Sequence, residues 1–215
     1  MSLSSFTNVA MAALALAGCK SHHDDTGAAA PTPSAAAKPA PPVQNPVPPA
    51  PTTGAVPLAS EPINVDGAWH ERDWTKNNFR AQFHRDDGDL ARPYSEVRFI
   101  RDDKNLYVGL YAADSNILSS DAFDLQVGPV AVQISAAGKM TPDTPDVKLA
   151  VDVDGTLDDP SNHDEEWKAE VAIPLAKAGL APGKPVDVRA ARCDIPKNGN
   201  GEKLCGEWKG QLTVE

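Results

Sequence analysis

Apolar and polar residues alternate through most of this chain from about residue 79 onward. The pattern is clearest between Glu96 and Asp114. Val97 and Phe99 alternate with charged neighbours, and Leu106, Val108, Leu110 and Ala112 alternate with Tyr107, Gly109 and Tyr111. A period of two marks a strand with one buried face. Asp102-Asp103-Lys104-Asn105 separates the two runs with turn-forming residues, so the stretch reads as a β-hairpin whose apolar face needs a second sheet to cover it. The same period recurs at Phe79–Phe83, Ala122–Val127, Val130–Ser135, Val147–Val153, Trp167–Ile173 and Val186–Ile195, and in a last pair from Lys203 to Val214. Asp154-Gly155 is a two-residue hairpin signal. Only Glu71–Trp74 and Pro174–Leu180 suggest helix, each a single turn. Roughly ten short strands separated by turns predict an all-β fold, a two-sheet antiparallel β-sandwich, over residues 61–215.

The first 60 residues show no such period. Residues 1–18 are small and apolar, from Val9 to Leu16 without a charge, too short to span a bilayer and suited to a signal-peptide core. They end in Leu16-Ala17-Gly18-Cys19, which resembles the lipobox of bacterial lipoproteins. The resemblance implies cleavage before Cys19 and acylation of its thiol, which anchors the protein to a membrane. No Lys or Arg precedes the apolar core, a departure from the usual signal-peptide pattern. Lys20, not Asp, follows Cys19, and this implies an outer-membrane address with the domain on the periplasmic or cell-surface face. Residues 19–60 hold Pro31, Pro33, Pro39, Pro41, Pro42, Pro46, Pro48, Pro49, Pro51 and Pro57 among Ala, Thr and Val. Such a segment buries too little apolar surface to offset its ordering entropy. It reads as a disordered, largely polyproline-II tether that, at roughly 3 Å per residue, reaches about 100 Å.

Net charge is −10 over 215 residues, with no basic patch to neutralise phosphates, so nucleic acid is excluded as a partner. No nucleophile motif, phosphate loop or zinc spacing appears, which points away from an enzyme. Asp152–Asp159 is acidic, but its glycine comes too early for an EF-hand loop and no Glu closes it. With Cys19 assigned to the lipid, Cys193 and Cys205 form an even pair around a turn-rich loop and predict a disulfide in an oxidising compartment.

Three strings in order resemble family 9 carbohydrate-binding modules and their DOMON-like relatives. Ile63-Asn64-Val65-Asp66-Gly67 with Glu71 and Trp74 is similar to the family's opening. Asp102, Asn105, Leu106, Tyr107 and Val108 followed by Asp114 resemble its central hairpin, and Trp167, Glu170, Ile173 and Pro174 resemble a later strand. The resemblance spans most of residues 61–215. It implies a sandwich that binds a saccharide between two tryptophans, with calcium as a possible structural ion and no other cofactor. Of that clamp, the loop Ser115–Asp121 holds no aromatic residue, and Trp208 matches the second position. Asp124 falls near a family acid and Lys148 near a family cation that bond sugar hydroxyls. The ligand-binding residues expected on this basis are therefore Trp208, Asp124 and Lys148, with Trp69 and Tyr94 as a different aromatic platform. Trp74 and Trp167, lying in apolar patterns, read as core anchors. Glu170 alternates outward, where it is either solvated or paired with a cation on a neighbouring strand. The function expected is that of a membrane-anchored, non-catalytic carbohydrate-binding lipoprotein. The alternative is a structural, assembly or protein-binding lipoprotein that kept the sandwich and lost the sugar site.

Overall fold

The computed structural model describes residues 52–195 and 201–215. The signal-like segment, Cys19 and most of the Pro-rich segment lie outside these residues. Among the described residues, eleven strands and two short helices follow in the order β1 (Thr53–Ala55), α1 (Asp73–Lys76), β2 (Phe79–Gln82), β3 (Ser95–Arg101), β4 (Asn105–Ala113), β5 (Ala122–Val127), β6 (Val130–Ser135), β7 (Met140–Thr141), β8 (Lys148–Asp154), β9 (Glu166–Pro174), α2 (Leu175–Ala178), β10 (Val186–Asp194) and β11 (Leu204–Thr213). They form a six-stranded sheet, β1-β11-β10-β5-β6-β7, and a five-stranded sheet, β2-β3-β4-β9-β8. All the ladders are antiparallel except β1 on β11. No helix among the described residues is long and apolar enough to cross a membrane.

The period-two pattern does what it predicts. β3 and β4 pair as a hairpin, Val97 opposite Leu110 and Phe99 opposite Val108, and these four side chains are fully buried. They pack against Phe123, Leu125, Val127 and Ile134 of the facing sheet in one continuous core. Trp167 is also fully buried there, 4.7 Å from the Phe123 ring.

Three sequence expectations change. The sheet begins before residue 61: β1 pairs with the C-terminal strand, and Val56 donates to the Thr213 carbonyl at 2.9 Å and is buried. Asp154-Gly155 does not turn a tight hairpin. Asp154 pairs with Glu166, and the connection 155–165 instead wraps the buried carboxylate of Asp164, which accepts the Ile117 N–H at 2.7 Å and the Thr156 N–H at 2.9 Å. Residues 204–213 form one continuous strand rather than a pair.

A second, smaller cluster covers the outer face of the five-stranded sheet. Trp74, carried on α1, packs on Ile100, Tyr107 and Ala172, with Ile63, Val65 and Trp69 beside it. Gly109 makes this possible, because a Cβ there would lie 2.7 Å from Trp69 Cζ2 and 2.8 Å from Trp74 Cζ3. Glu170 is buried on the same face, not solvated, and among the described residues it pairs with no cation. Its Oε2 accepts the N–H groups of Asp66 at 2.8 Å and Gly67 at 2.9 Å. Burial pushes the Glu170 carboxyl up, and those two N–H groups pull it partly back. The turn of the opening string and the acid of the later strand thus form one contact.

Candidate functional site

The outer face of the six-stranded sheet carries a groove. β5, β10 and β11 turn Phe123, Leu125, Val188, Ala190, Trp208 and Leu212 into the core. By alternation they turn Asp124, Gln126, Asp187, Arg189, Ala191, Glu207, Lys209 and Gln211 outward. The ladder places Asp124 opposite Ala191 and Ala191 opposite Glu207, so a methyl-floored dip lies between two carboxylates. A cavity of about 570 Å³ opens here. Residues 84–87 wall one side, where His84 and Glu207 exchange backbone hydrogen bonds of 2.9 Å. The Cys193–Cys205 pair, bonded as expected between directly facing strand positions, lines the cavity too.

The polar groups of the groove are held in place. Gln133 donates to Asp124 Oδ1 at 3.1 Å, and Arg189 Nε donates to Glu207 Oε2 at 2.8 Å. Lys209 donates to the other Glu207 oxygen. Burial acts to lift the Glu207 carboxyl, but the hydrogen bonds and charges of Lys209 and Arg189 outweigh it and hold the group below the usual carboxylate range. The arrangement is a set of planar donors and acceptors fixed on a rigid sheet, suited to hydrogen-bonding a polar, hydroxyl-rich ligand. Among the described residues no Trp, Tyr or Phe lines this cavity.

The structure separates the three residues expected to bind ligand. Asp124 lies in the groove. Trp208 does not: it is 3% exposed, with its ring 5.7 Å from Phe79 and 5.6 Å from Phe99. It is a core residue and not a stacking platform, because β11 turns it inward while Glu207 and Lys209 face solvent. Lys148 stands on the other sheet, opposite Ala172 at the β8 edge, beside a smaller cavity of about 180 Å³ near Asn64 and Tyr107. Asp124 and Lys148 therefore belong to opposite faces of the sandwich. Trp69 and Tyr94 lie away from this groove. The Trp69 ring stacks on Trp74 at 5.5 Å and carries the Arg98 guanidinium at 4.6 Å, while the Tyr94 ring meets Tyr111 at 5.9 Å and its hydroxyl accepts from Arg80 and Gln82. Arg189, Glu207 and His84 escaped the sequence reading. For Arg189 and Glu207 the one signal was the alternation of polar residues in β10 and β11, which marks a face without saying which strands share it; His84, just past β2, carried none.

One further cluster bears on the expected calcium. Asp114, Asp121 and Asp194 each bring a carboxylate oxygen to within 4.8 Å of the others at one end of the sandwich. Arg192, buried among them, donates to both Asp114 and Asp194. A calcium ion takes six to eight oxygens at about 2.3–2.6 Å. This set offers three carboxylates, two of them already holding a guanidinium, and so does not fit that sphere.

No protein-family model matches the chain, and no curated protein matches it. Among solved structures, a family 9 carbohydrate-binding module from Caldicellulosiruptor kristjanssonii in complex with cellotriose aligns with a TM-score of 0.54. The match has 13% identity and covers 76% of this chain and 93% of that one. The same organism's family 9 module in complex with glucose aligns with a TM-score of 0.52 at 12% identity, over 75% and 96% of the two chains. At this identity the likeness establishes a shared β-sandwich fold.

Proposed function

We propose that this protein is a non-catalytic saccharide-binding module, carried on a Pro/Ala-rich tether from an acylated Cys19 at a bacterial outer membrane. The observation that carries the reading is the groove around Asp124. It presents fixed carboxylate, guanidinium and amide groups on the open face of a sandwich whose structural neighbours are carbohydrate-binding modules holding cellotriose and glucose. Support for the tether and anchor comes from the sequence, in the Leu16–Cys19 string and the proline run. The test is calorimetry of the full chain against soluble oligosaccharides, with Asp124→Ala and Arg189→Ala. Each substitution should weaken binding at least tenfold while leaving the melting midpoint within a few degrees. Binding that ignores both substitutions would remove the groove from the function. For the anchor, Cys19→Ser should move the protein from the membrane fraction to the soluble one. Retention in the detergent phase of Triton X-114, with no acyl label on the parent protein, would refute the lipoprotein reading.

One observation favours a second reading. Among the described residues the groove has no Trp, Tyr or Phe face, and the tryptophan matched to the clamp is in the core. A structural or protein-binding lipoprotein on the same sandwich would show this. It predicts no saccharide binding, and loss of Asp124 or Arg189 would then disturb a protein complex instead.

A further inference from the structure

The groove does not stop at Asp124. A second cavity, of about 390 Å³, continues along the same face, and Arg189 lines both. The ladder defines the floor. Facing pairs succeed one another from Cys193–Cys205 through Ala191–Glu207 and Arg189–Lys209 to Asp187–Gln211. Three two-residue steps at about 3.3 Å per residue make a trough of roughly 20 Å along the strands. That is longer than one sugar ring.

The trough's chemistry narrows the ligand. Its polar groups are held within the protein, Arg189 and Lys209 on Glu207, with Gln211 donating to Asp187 at 2.9 Å and Gln133 to Asp124 at 3.1 Å. Among the described residues the two cavities are lined by more carboxylates than cations, Lys203 included, so no surplus of cations is left to hold uronate or sulfate groups. Among the described residues no Trp, Tyr or Phe lines either cavity, and the one imidazole, His84, has no second ring opposite it, so no single sugar can be clamped between two rings. Affinity must then come from hydrogen bonds spread over several units, each modest once its exchange with water is counted. A ligand of that kind gains with every unit that lies in the trough, and its ends make no special contact.

From this we infer that the trough takes an internal stretch of an uncharged polysaccharide, lying along β10 from Cys193 to Asp187, rather than a monosaccharide or a chain end. The inference rests on the saccharide-binding reading above and gives it a ligand class. The experiment is an array of neutral and acidic oligosaccharides of one to six units, followed by calorimetry of the full chain with the best hexasaccharide. The trisaccharide and the borohydride-reduced hexasaccharide of that series are titrated alongside. Affinity should rise at least tenfold from three units to six and be unchanged by end reduction. Gln211→Ala, at the far end of the trough from His84, should weaken the hexasaccharide several-fold and the trisaccharide much less. Affinity that levels off at one to three units, vanishes on end reduction, or favours acidic chains would overturn the inference while leaving saccharide binding intact. Binding of no saccharide on the array would overturn both.

Discussion

The buried charges at the end of the sandwich make a testable demand on stability. Asp121 sits beside Asp114 and Asp194, with Arg192 held by the latter two. Burial, reinforced by the charges of Asp114 and Asp194, lifts its carboxyl to about 6, against the Leu118 N–H that donates to it at 2.8 Å and the charge of Arg192. The folded chain therefore keeps a proton that the unfolded chain, with an ordinary aspartate near 3.8, has released. Between these values the native state binds more protons, so stability falls as pH rises from about 4 to about 6 and is flat above. The gap between 3.8 and about 6 sets an upper bound of roughly 3 kcal/mol, and solvent screening of this half-buried group cuts it to about 1–2 kcal/mol. Asp121→Asn removes the charge and keeps an oxygen for the Leu118 N–H. It should stabilise the protein by about 1–2 kcal/mol at pH 8 and hardly at all at pH 4. Urea unfolding followed by tryptophan fluorescence measures both, with an unchanged slope confirming the same two states. Because burial and repulsion also raise Asp194, part of the parent's slope between pH 4 and 6 should survive the substitution. A variant less stable than the parent at pH 8, or a difference independent of pH, would refute the assignment.

The remaining predictions concern the core and the crosslink. Trp208→Ala should cost about 3–5 kcal/mol, as large-to-small changes at fully packed sites do, and leave saccharide affinity unchanged in the protein that still folds. A mild loss of stability with a large loss of affinity would return Trp208 to the site. Replacing Cys193 and Cys205 together by Ser should cost about 3 kcal/mol, the entropy of freeing a loop closed across a separation of 12 residues. Equal denaturation midpoints for parent and double variant would show that the crosslink constrains nothing.

What was legible in the sequence was local. The hairpin of β3 and β4 could be read because its alternation and its turn lie within one short stretch. β1 could not: Thr53-Gly54-Ala55 follows a proline run, and its pairing partner, Gln211–Thr213, lies at the other end of the chain. The loop after β8 was misread for a similar reason. Gly155 looks like a hairpin turn, yet the segment is shaped by Asp164 reaching across to Ile117. Trp208 was misplaced because its inward neighbours on β11 include Gly206 and Gly210, which hide the apolar stripe. Both glycines are forced by packing: a Cβ at Gly206 would collide with Ala91, and one at Gly210 with the Trp208 ring itself. A tryptophan flanked by small residues looked uncovered when it was in fact too tightly covered to allow larger ones.

The motif residues share one property that explains why the family likeness carried the fold further than the site. Glu170 holds the turn at Asp66 and Gly67, Trp74 and Gly109 fit one another across the sheet face, Trp167 fills the core, and Asp114 holds Arg192. Glu170, Trp74, Gly109, Trp167 and Asp114 are each buried inside the protein, so none presents a surface to a ligand. A buried contact constrains its residues as a pair and keeps their spacing in the chain. The outward row of Asp124, Arg189, Glu207, Lys209 and Gln211 is under no such mutual constraint beyond solubility and whatever it binds. Those positions can change the ligand without touching the core, and they can lose the ligand just as easily. A motif built from the first set therefore transfers architecture. Only the second set, assembled from three strands that the sheet brings side by side, can say what this face recognises.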